Sequence, residues 1–210
     1  MSDALANLDE FSLTETMYHC RAMRRLKTDP VPEPLLVKLI DAANQAPSGS
    51  NSQRARWVVV RDPAQKQKLA DLNRKFAEPY IRPSLENPSS DAQARMLSAV
   101  VWQMDHMHEI PALIVACFDY QERVEGLGVY RSAGSVWPGI QNLLLTARAL
   151  GLGAAPTTLA LRDQDAVREA LHLPETFAAL CMIPVGYPLG KFGPVRRRPV
   201  EEIMRFDSWS

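Results

Sequence analysis

The order in which apolar segments follow one another is the feature that most constrains how this chain can fold. Four segments have the apolar or extended character of buried strands: RARWVVVRD, PALIVACFDY, GLGAAPTT and FAALCMIPVGYP. Helical patterns alternate with these segments, and two helical patterns precede the first strand. Because a regular βαβ winding would begin with a strand, this order favours a three-layer α+β domain.

The helical patterns carry start signals and apolar faces. Ser12 or Thr14 can cap a first helix in SLTETMYHC, and a second helix begins near Pro34. The second helix has an apolar face typical of an amphipathic helix packed on a core: Leu35, Leu36, Leu39, Ile40 and Ala43. The segment VWPGIQNLLLTARAL is apolar almost all round, which predicts a helix buried on every side or shared between subunits.

The length of 210 residues suits one domain of good size, and we predict a single domain over residues 1–210. Residues 77–91 contain three prolines and little periodicity, so they are predicted to form a loop that can serve as a lid. We interpret the wider stretch 77–135 as a variable lid or substrate region. Residues 187–210 are interpreted as an extended, basic C-terminal arm.

Charge and composition argue against several classes of partner. The 24 basic and 24 acidic residues leave no net charge, so no overall field attracts nucleic acid or an anionic membrane. The apolar stretches are too short to span a bilayer, and the acidic N-terminal residues do not resemble a secretory signal. The three cysteines are far apart and unclustered, as expected for reduced thiols of a cytoplasmic protein.

Several familiar motifs are incomplete. The glycines of GLG at 151–153 follow a helix and precede a strand, the reverse of the dinucleotide-binding order, so Gly151 is interpreted as a helix C-cap. GYPLGK at 186–191 lacks the spacing and the Ser/Thr of a phosphate loop. DHMHE at 105–109 has no metal-ligand spacing, and no nucleophile-elbow motif is present. We therefore predict neither a metal site nor a catalytic side chain.

Two groups of arginines and one loop remain as candidates for a binding site. Arg21, Arg24 and Arg25 follow the first helix, and Arg196 to Arg198 lie near the C-terminus. Each group is either a solvated face or half of a phosphate clamp. The second alternative is open because a guanidinium group can donate two parallel hydrogen bonds to phosphate oxygens. The loop APSGSNSQ at 46–53 is either an ordinary connection or a surface on which the backbone approaches a flat or charged group.

From about residue 15 to 205, the chain resembles the flavin-dependent nitroreductase family. The resemblance rests on four motifs in this order: RAMRRLKTDPVP, APSGSNSQ, QNLLLTARALGLGAAPTT with IPVGYP, and RRRPVEEIM. The resemblance implies a nitroreductase-like three-layer α+β fold with a central mixed sheet wrapped by helices. It also implies an intertwined homodimer whose terminal segments are exchanged. FMN is the implied cofactor.

The resemblance assigns cofactor-binding roles residue by residue. The basic N-terminal motif, commonly Arg-Arg-Ser-x-Arg, falls on Cys20, Arg21, Ala22, Met23 and Arg24. Cys20 stands in place of an arginine and Ala22 in place of a serine, so two side-chain contacts to phosphate are absent. Arg21 and Arg24 remain. Arg197 is the first choice, before Arg196 and Arg198, for the second phosphate clamp.

Two further segments are implied to contact the flavin ring. The PSxxNxQ loop of the family falls on Pro47, Ser48, Gly49, Asn51 and Gln53. The segment after the third predicted strand is implied to place Pro156, Thr157 and Thr158 beside the isoalloxazine ring.

The function implied by the resemblance is hydride transfer from NADH or NADPH, through flavin N5, to a nitroaromatic, quinone or similar small-molecule acceptor by a ping-pong mechanism. One alternative keeps the fold and FMN but changes the acceptor to an activated alkene or a halophenol. Another is a flavin-binding module without turnover. A cofactor that carries the electron chemistry explains why no catalytic side chain is predicted.

Overall fold

The computed structural model describes residues 12–122 and 133–209. Within these ranges the chain forms seven α-helices and four β-strands. The helices are α1 (Leu13–His19), α2 (Glu33–Asn44), α3 (Pro63–Glu86), α4 (Asp91–His106), α5 (Val136–Ala149), α6 (Gln164–Leu171) and α7 (Val200–Ile203). The strands are β1 (Ala55–Val60), β2 (Ala112–Asp119), β3 (Gly153–Ala154) and β4 (Phe177–Gly186).

Local sequence signals account for most of these boundaries. Helix α1 begins after Ser12, whose Oγ accepts a hydrogen bond from the Glu15 amide at 3.1 Å. Helix α3 begins at Pro63, after Asp62 caps it by accepting from the Gln65 amide at 2.9 Å. Helix α5 ends before Gly151, whose φ of 72° is the left-handed conformation expected of a C-cap glycine.

The four strands form one sheet in the order β1–β2–β4–β3, and each neighbouring pair is antiparallel. The expectation of a mixed sheet is therefore wrong for the described strands. Two helices, α3 and α4, lie between β1 and β2, and they return the chain to the end of the sheet at which β1 ends. Arg74 of α3 pairs with Asp105 of α4 at 3.1 Å, which fixes this helical hairpin. A strand that follows an out-and-back pair of helices must run antiparallel to the strand before it.

Helices cover both faces of the sheet, which confirms the three-layer α+β class. Because strand side chains alternate, Ile114 and Ala116 of β2 pack with α2 and α5 on one face. Leu113 and Val115 pack with α3 and α6 on the other face. The β2 strand is buried along both faces, which explains its uninterrupted apolar sequence.

Residues 77–86 belong to α3, so the prediction of a loop over 77–91 is wrong up to Glu86. Pro79 and Pro83 each remove one backbone donor, but side-chain contacts within the same turns support the helix. The Ser84 hydroxyl donates to the Tyr80 carbonyl at 2.6 Å, and Arg82 pairs with Glu78 at 2.6 Å. Packing of the buried Ala77 also holds this end of the helix in place. Part of the predicted lid region, residues 123–132, lies outside the described residues.

Helix α5 is buried on one side only. Val136, Ile140, Leu143 and Ala147 face the sheet and α2, while Trp137 is 43% exposed on the opposite side. Of the two sequence alternatives for this helix, burial on every side within one chain is therefore excluded. No helix in the described part of the chain is long and apolar enough to cross a bilayer.

Candidate functional site

Residues 187–195, after the last strand, run alongside residues 18–27, after the first helix. The Lys27 amide donates to the Tyr187 carbonyl at 2.7 Å, and the Leu189 amide donates to the Arg25 carbonyl at 3.0 Å. Farther along, the Val195 amide donates to the Tyr18 carbonyl at 2.9 Å. These backbone hydrogen bonds bring the two arginine groups of the sequence to one place.

A cavity of about 690 Å³ lies where these two segments meet helix α5 and strand β3. Its size falls within the range of about 300–1,000 Å³ that is usual for small-molecule sites. The residues that line it come from four segments: Met17, Tyr18, Cys20, Arg21, Ala22, Gln141, Leu144, Ala154, Pro156, Val195, Arg197, Arg198, Pro199 and Val200.

Three arginines give the cavity its charge. Arg21, Arg197 and Arg198 line it, and all three are exposed. In the described ranges none of them pairs with a carboxylate. Exposed guanidinium groups without an acidic partner are suited to bind an anion by charge-assisted hydrogen bonds.

The opposite wall of the cavity is mostly apolar. Leu144 of α5, Ala154 of β3 and Pro156 form part of it. Gly153 lets the chain approach closely here, because a Cβ at this position would lie 2.9 Å from the Met23 Cβ and 2.6 Å from the Leu26 Cδ2. The cavity therefore combines a cationic end with a wall that suits a flat, apolar group.

Met23 and Arg24 of the N-terminal motif, and Arg25 after it, do not line the cavity. Met23 is buried in the core, and its amide donates to the Ala154 carbonyl at 3.0 Å. Arg24 is half-buried outside the cavity lining, and desolvation lowers its pKa. Arg25 donates to the Ser98 hydroxyl of α4 at 2.9 Å. Within this motif, Arg21 alone places a guanidinium group in the cavity.

Cys20 also lines the cavity, at the position where the family motif has an arginine. Burial raises the pKa of the Cys20 thiol, and the positive charges of Arg148 and Arg197 oppose that rise. The other two cysteines lie in the sheet, where burial raises the pKa of each to about 12. All three thiols are free.

Of the three residues predicted beside the flavin ring, only Pro156 lines the cavity. Thr157 is fixed to the sheet by two backbone hydrogen bonds with Met182, of 2.8 and 2.9 Å. Its hydroxyl lies 3.4 Å from Asn73 Oδ1 of α3. Thr158 is exposed and does not line the cavity.

The small-residue loop 47–53 does not line this cavity in the same chain. It lies against the start of α5, where the Gly49 amide donates to the Ser135 hydroxyl at 3.1 Å. The loop is also tied internally, because Ser48 Oγ accepts from the Gln53 amide at 2.8 Å. Pro47, Gly49, Asn51 and Gln53 are exposed.

The backbone of this loop is strained. Three of its residues other than glycine have positive φ, namely Ser50 at 53°, Asn51 at 51° and Gln53 at 50°. Each such residue costs on the order of 1–3 kcal/mol, so their concentration in an exposed loop points to a functional surface.

The histidine-rich helix end takes part in packing and surface pairing. The His106 ring stacks on Trp102 with 4.4 Å between centroids, and His108 lies 3.6 Å from Glu109. Among the described residues no group of histidine, cysteine and acidic side chains is arranged to hold a metal ion.

Sequence reasoning missed several cavity residues: Met17, Tyr18, Gln141, Leu144, Val195, Pro199 and Val200. Gln141 and Leu144 are three apart on α5, so helical periodicity could have put them on one face. The others lie within a few residues of the two arginine groups, and that proximity was the available signal.

Comparison with known proteins identifies the family of the chain. Residues 19–187 match the Nitroreductase family, and the chain belongs to that family. It is 32% identical over 195 residues to an NADH dehydrogenase of Thermus thermophilus, covering 88% of this chain and 90% of the relative. It is 29% identical over 200 residues to a 5,6-dimethylbenzimidazole synthase of Rhodospirillum rubrum, covering 88% and 90%.

The fold is also that of an iodotyrosine deiodinase crystallised in its oxidised form with FMN and 3-iodo-L-tyrosine. That structure is 24% identical in sequence and superposes with a TM-score of 0.74, covering 94% of this chain and 100% of the deiodinase chain. These relatives have different named activities, so family membership fixes the fold and the class of protein more closely than the substrate.

Proposed function

We propose that this protein is an FMN-dependent oxidoreductase that takes hydride from NADH or NADPH and reduces a nitroaromatic, quinone or similar acceptor. The observation that carries the proposal is the meeting of Arg21, Arg197 and Arg198 at one end of a cavity with an apolar wall. FMN has a single phosphate at the end of a flexible chain and a flat ring at the other end, and the two ends of the cavity match these two parts.

The residues present fit FMN better than a dinucleotide. The arginines supply charge for one phosphate group, and the described ranges contain no glycine-rich turn between a strand and a helix for a pyrophosphate. When bound, FMN would supply the redox chemistry, accepting hydride from the nicotinamide and passing it to the acceptor. Arg21 and Arg197 would hold its phosphate, and Pro156 would contact the ring.

We further propose that the loop 47–53 contacts the flavin of a second copy of the chain. The loop is exposed, polar and strained, yet it does not line the cavity of its own chain. In a twofold dimer the loop of each subunit can close the cavity of the other. This arrangement keeps Ser48, Gly49, Asn51 and Gln53 as flavin contacts, with Asn51 and Gln53 able to donate and accept hydrogen bonds.

Exposed apolar residues support the dimer. The C-terminal arm carries Phe206 at 82% and Trp209 at 69% exposure. A groove of about 570 Å³ runs beside the edge strand β1, between that strand and α2. Its apolar lining, which includes Val37, Ile40 and Trp57, suits the arm of a second copy.

Two measurements test the proposed function. The flavin released by heat from freshly purified protein should have the mass of FMN, and recovery of FAD would overturn the cofactor assignment. The purified protein should then oxidise NADH or NADPH in the presence of a quinone or nitroaromatic. A yellow protein that oxidises neither nucleotide would instead be a flavin-binding module without turnover.

The acceptor needs a separate assay, because relatives with this fold have different named activities. A panel of one quinone, one nitroaromatic, one activated alkene and one halophenol should be compared under the same NAD(P)H concentration. We expect the quinone or nitroaromatic to react fastest. A clear preference for the halophenol or the alkene would favour the alternative acceptor.

A further inference from the structure

Arg148, in the last turn of helix α5, lies just beyond the residues that line the cavity. Gln141 and Leu144 line the cavity, and Arg148 lies seven residues after Gln141 and four after Leu144. Residues at these spacings share one face of a helix. Arg148 therefore continues the stripe of α5 that faces the cavity, one turn beyond Leu144.

The guanidinium group of Arg148 lies over the ring of Phe192, with 4.3 Å between Cζ and the ring centroid. Phe192 belongs to the segment that carries Arg197, and the next residue, Gly193, packs against Arg21. A Cβ at Gly193 would lie 3.9 Å from Arg21 Nη1. Arg148, Arg21 and the arginine-bearing arm thus meet around the same few residues.

We propose that Arg148 supplies positive charge to the phosphate end of the cavity, in place of the arginine that the family motif has at residue 20. The inference rests on the proposed binding of FMN, because it assigns the phosphate as the group that the charge serves. In this chain residue 20 is Cys20, which brings no charge of its own when it is protonated.

The thiol of Cys20 reports on this charge. Burial raises the pKa of Cys20, so the thiol is neutral near pH 7 and does not repel a phosphate. Both Arg148 and Arg197 oppose this rise in the pKa, and the effect of Arg148 is the larger. The field of Arg148 therefore reaches the position that the missing arginine would occupy.

The first experiment compares FMN with riboflavin, which has the same ring but no phosphate. We expect Arg148→Gln to weaken FMN binding about tenfold and to leave riboflavin binding within about twofold of the original protein. Arg148→Lys should recover most of the FMN affinity. Arg162→Gln is the matched control, because Arg162 also lies over aromatic rings, but those rings, Phe76 and Tyr80, belong to α3, which contributes no residue to the cavity.

A loss of FMN and riboflavin affinity by the same factor would overturn the proposal, since it would mean that Arg148 only anchors the arm through Phe192. Phe192→Leu removes the ring and keeps the charge of Arg148. If Arg148 only anchors the arm, Phe192→Leu should lower the affinity for both flavins as Arg148→Gln does. Unchanged FMN affinity in Arg148→Gln would also overturn the proposal.

The second experiment does not depend on flavin. The rate of Cys20 alkylation by iodoacetamide is measured against pH in flavin-free protein, with Cys20→Ser identifying the reacting thiol. We expect Arg148→Gln to move the midpoint to higher pH and to raise the concentration of inorganic phosphate needed for protection. If the original protein binds no flavin but Arg148→Gln shows both effects, the proposed cofactor is wrong and the cationic site stands. If neither effect appears, the assignment of Arg148 is wrong whatever the protein binds.

Discussion

At the scale of single residues, Arg21 and Arg197 are the groups that we propose hold the phosphate of FMN. They come from opposite ends of the sequence and line one cavity, and neither is paired with a carboxylate in the described ranges. Their exposure means that they contribute little to the packed core. Their removal should therefore affect binding much more than stability.

We expect Arg21→Ala and Arg197→Ala each to weaken FMN binding about ten- to hundredfold, because a hydrogen bond to a charged group contributes roughly 1.5–3 kcal/mol. The measurement is titration of flavin fluorescence, with circular dichroism to confirm that the fold is kept. Arg196→Ala is the neighbouring control, since Arg196 does not line the cavity. Wild-type affinity in both test variants would show that the two arginine groups do not share a phosphate.

At the scale of elements, Asp163 links the start of helix α6 to helix α3. Its Oδ1 accepts from the Ala166 amide at 3.1 Å, and its Oδ2 lies 3.3 Å from Lys75 Nζ. The hydrogen bond from the Ala166 amide, followed by the interaction with Lys75, holds the pKa of Asp163 below its ordinary value. The carboxylate is therefore more stable in the folded chain than in the unfolded one.

We expect Asp163→Ala to lower the free energy of unfolding by about 0.5–2 kcal/mol, the usual effect of losing an N-cap. Asp163→Asn keeps a capping oxygen but loses the charge, so its loss should be smaller. Because the folded pKa lies below the unfolded one, the charge stabilises the fold above the unfolded pKa and ceases to do so as pH falls through the folded pKa.

Urea unfolding of the original protein and of Asp163→Asn, at pH 7 and in acid, measures this contribution of the charge. The two proteins should differ in free energy of unfolding at pH 7 and converge in acid. A difference that grows as the pH falls would contradict the assignment.

The contact between α2 and α5 depends on Gly139. A Cβ at this position would lie 2.9 Å from the Ala43 carbonyl oxygen and 3.2 Å from Trp57 Cζ2. We expect Gly139→Ala to lower the free energy of unfolding by on the order of 1 kcal/mol, because the clash with backbone exceeds the gain in helix propensity. Thermal or urea unfolding provides the measurement.

Gly134→Ala is the matched control for this contact, since nothing lies within 4 Å of the added Cβ. It should change stability by no more than about 0.5 kcal/mol. Equal effects of the two substitutions would show that helix propensity, rather than the α2–α5 contact, governs both.

At the scale of the whole molecule, one chain leaves two apolar surfaces open, the C-terminal arm and the groove beside β1. We expect the protein to be a dimer by light scattering, because burying these surfaces against each other removes apolar area from water. Replacing Phe206 and Trp209 together by Ser should shift the protein towards monomer and weaken flavin binding. Leu189→Ser is the control, since it changes an exposed apolar residue far from the end of the arm.

A monomer mass for the original protein with flavin bound would refute the dimer. It would also remove the reason for assigning the loop 47–53 to the cavity of a second copy.

The sequence predicted most of the elements, since periodicity and caps act over a few residues. The α+β class, the cap of α1 at Ser12 and the C-cap at Gly151 were all readable from neighbouring residues. The continuation of α3 through Pro79 and Pro83 was not, because it depends on tertiary packing, such as that of the buried Ala77, which the local signal of two prolines does not record. The antiparallel sheet was also missed, since strand direction depends on the helical hairpin between β1 and β2.

For the candidate site, the sequence by itself determined which residue types are available: two groups of arginines, a small-residue loop and Pro156 after a short strand. Only the tertiary structure decided that Arg21 meets Arg197 and Arg198, that Met23 enters the core, and that the loop lies outside the cavity of its own chain. The physical reason is that the two arginine groups are joined by backbone hydrogen bonds between segments about 170 residues apart. Such pairing depends on the path of the whole chain, which no local pattern of residues records.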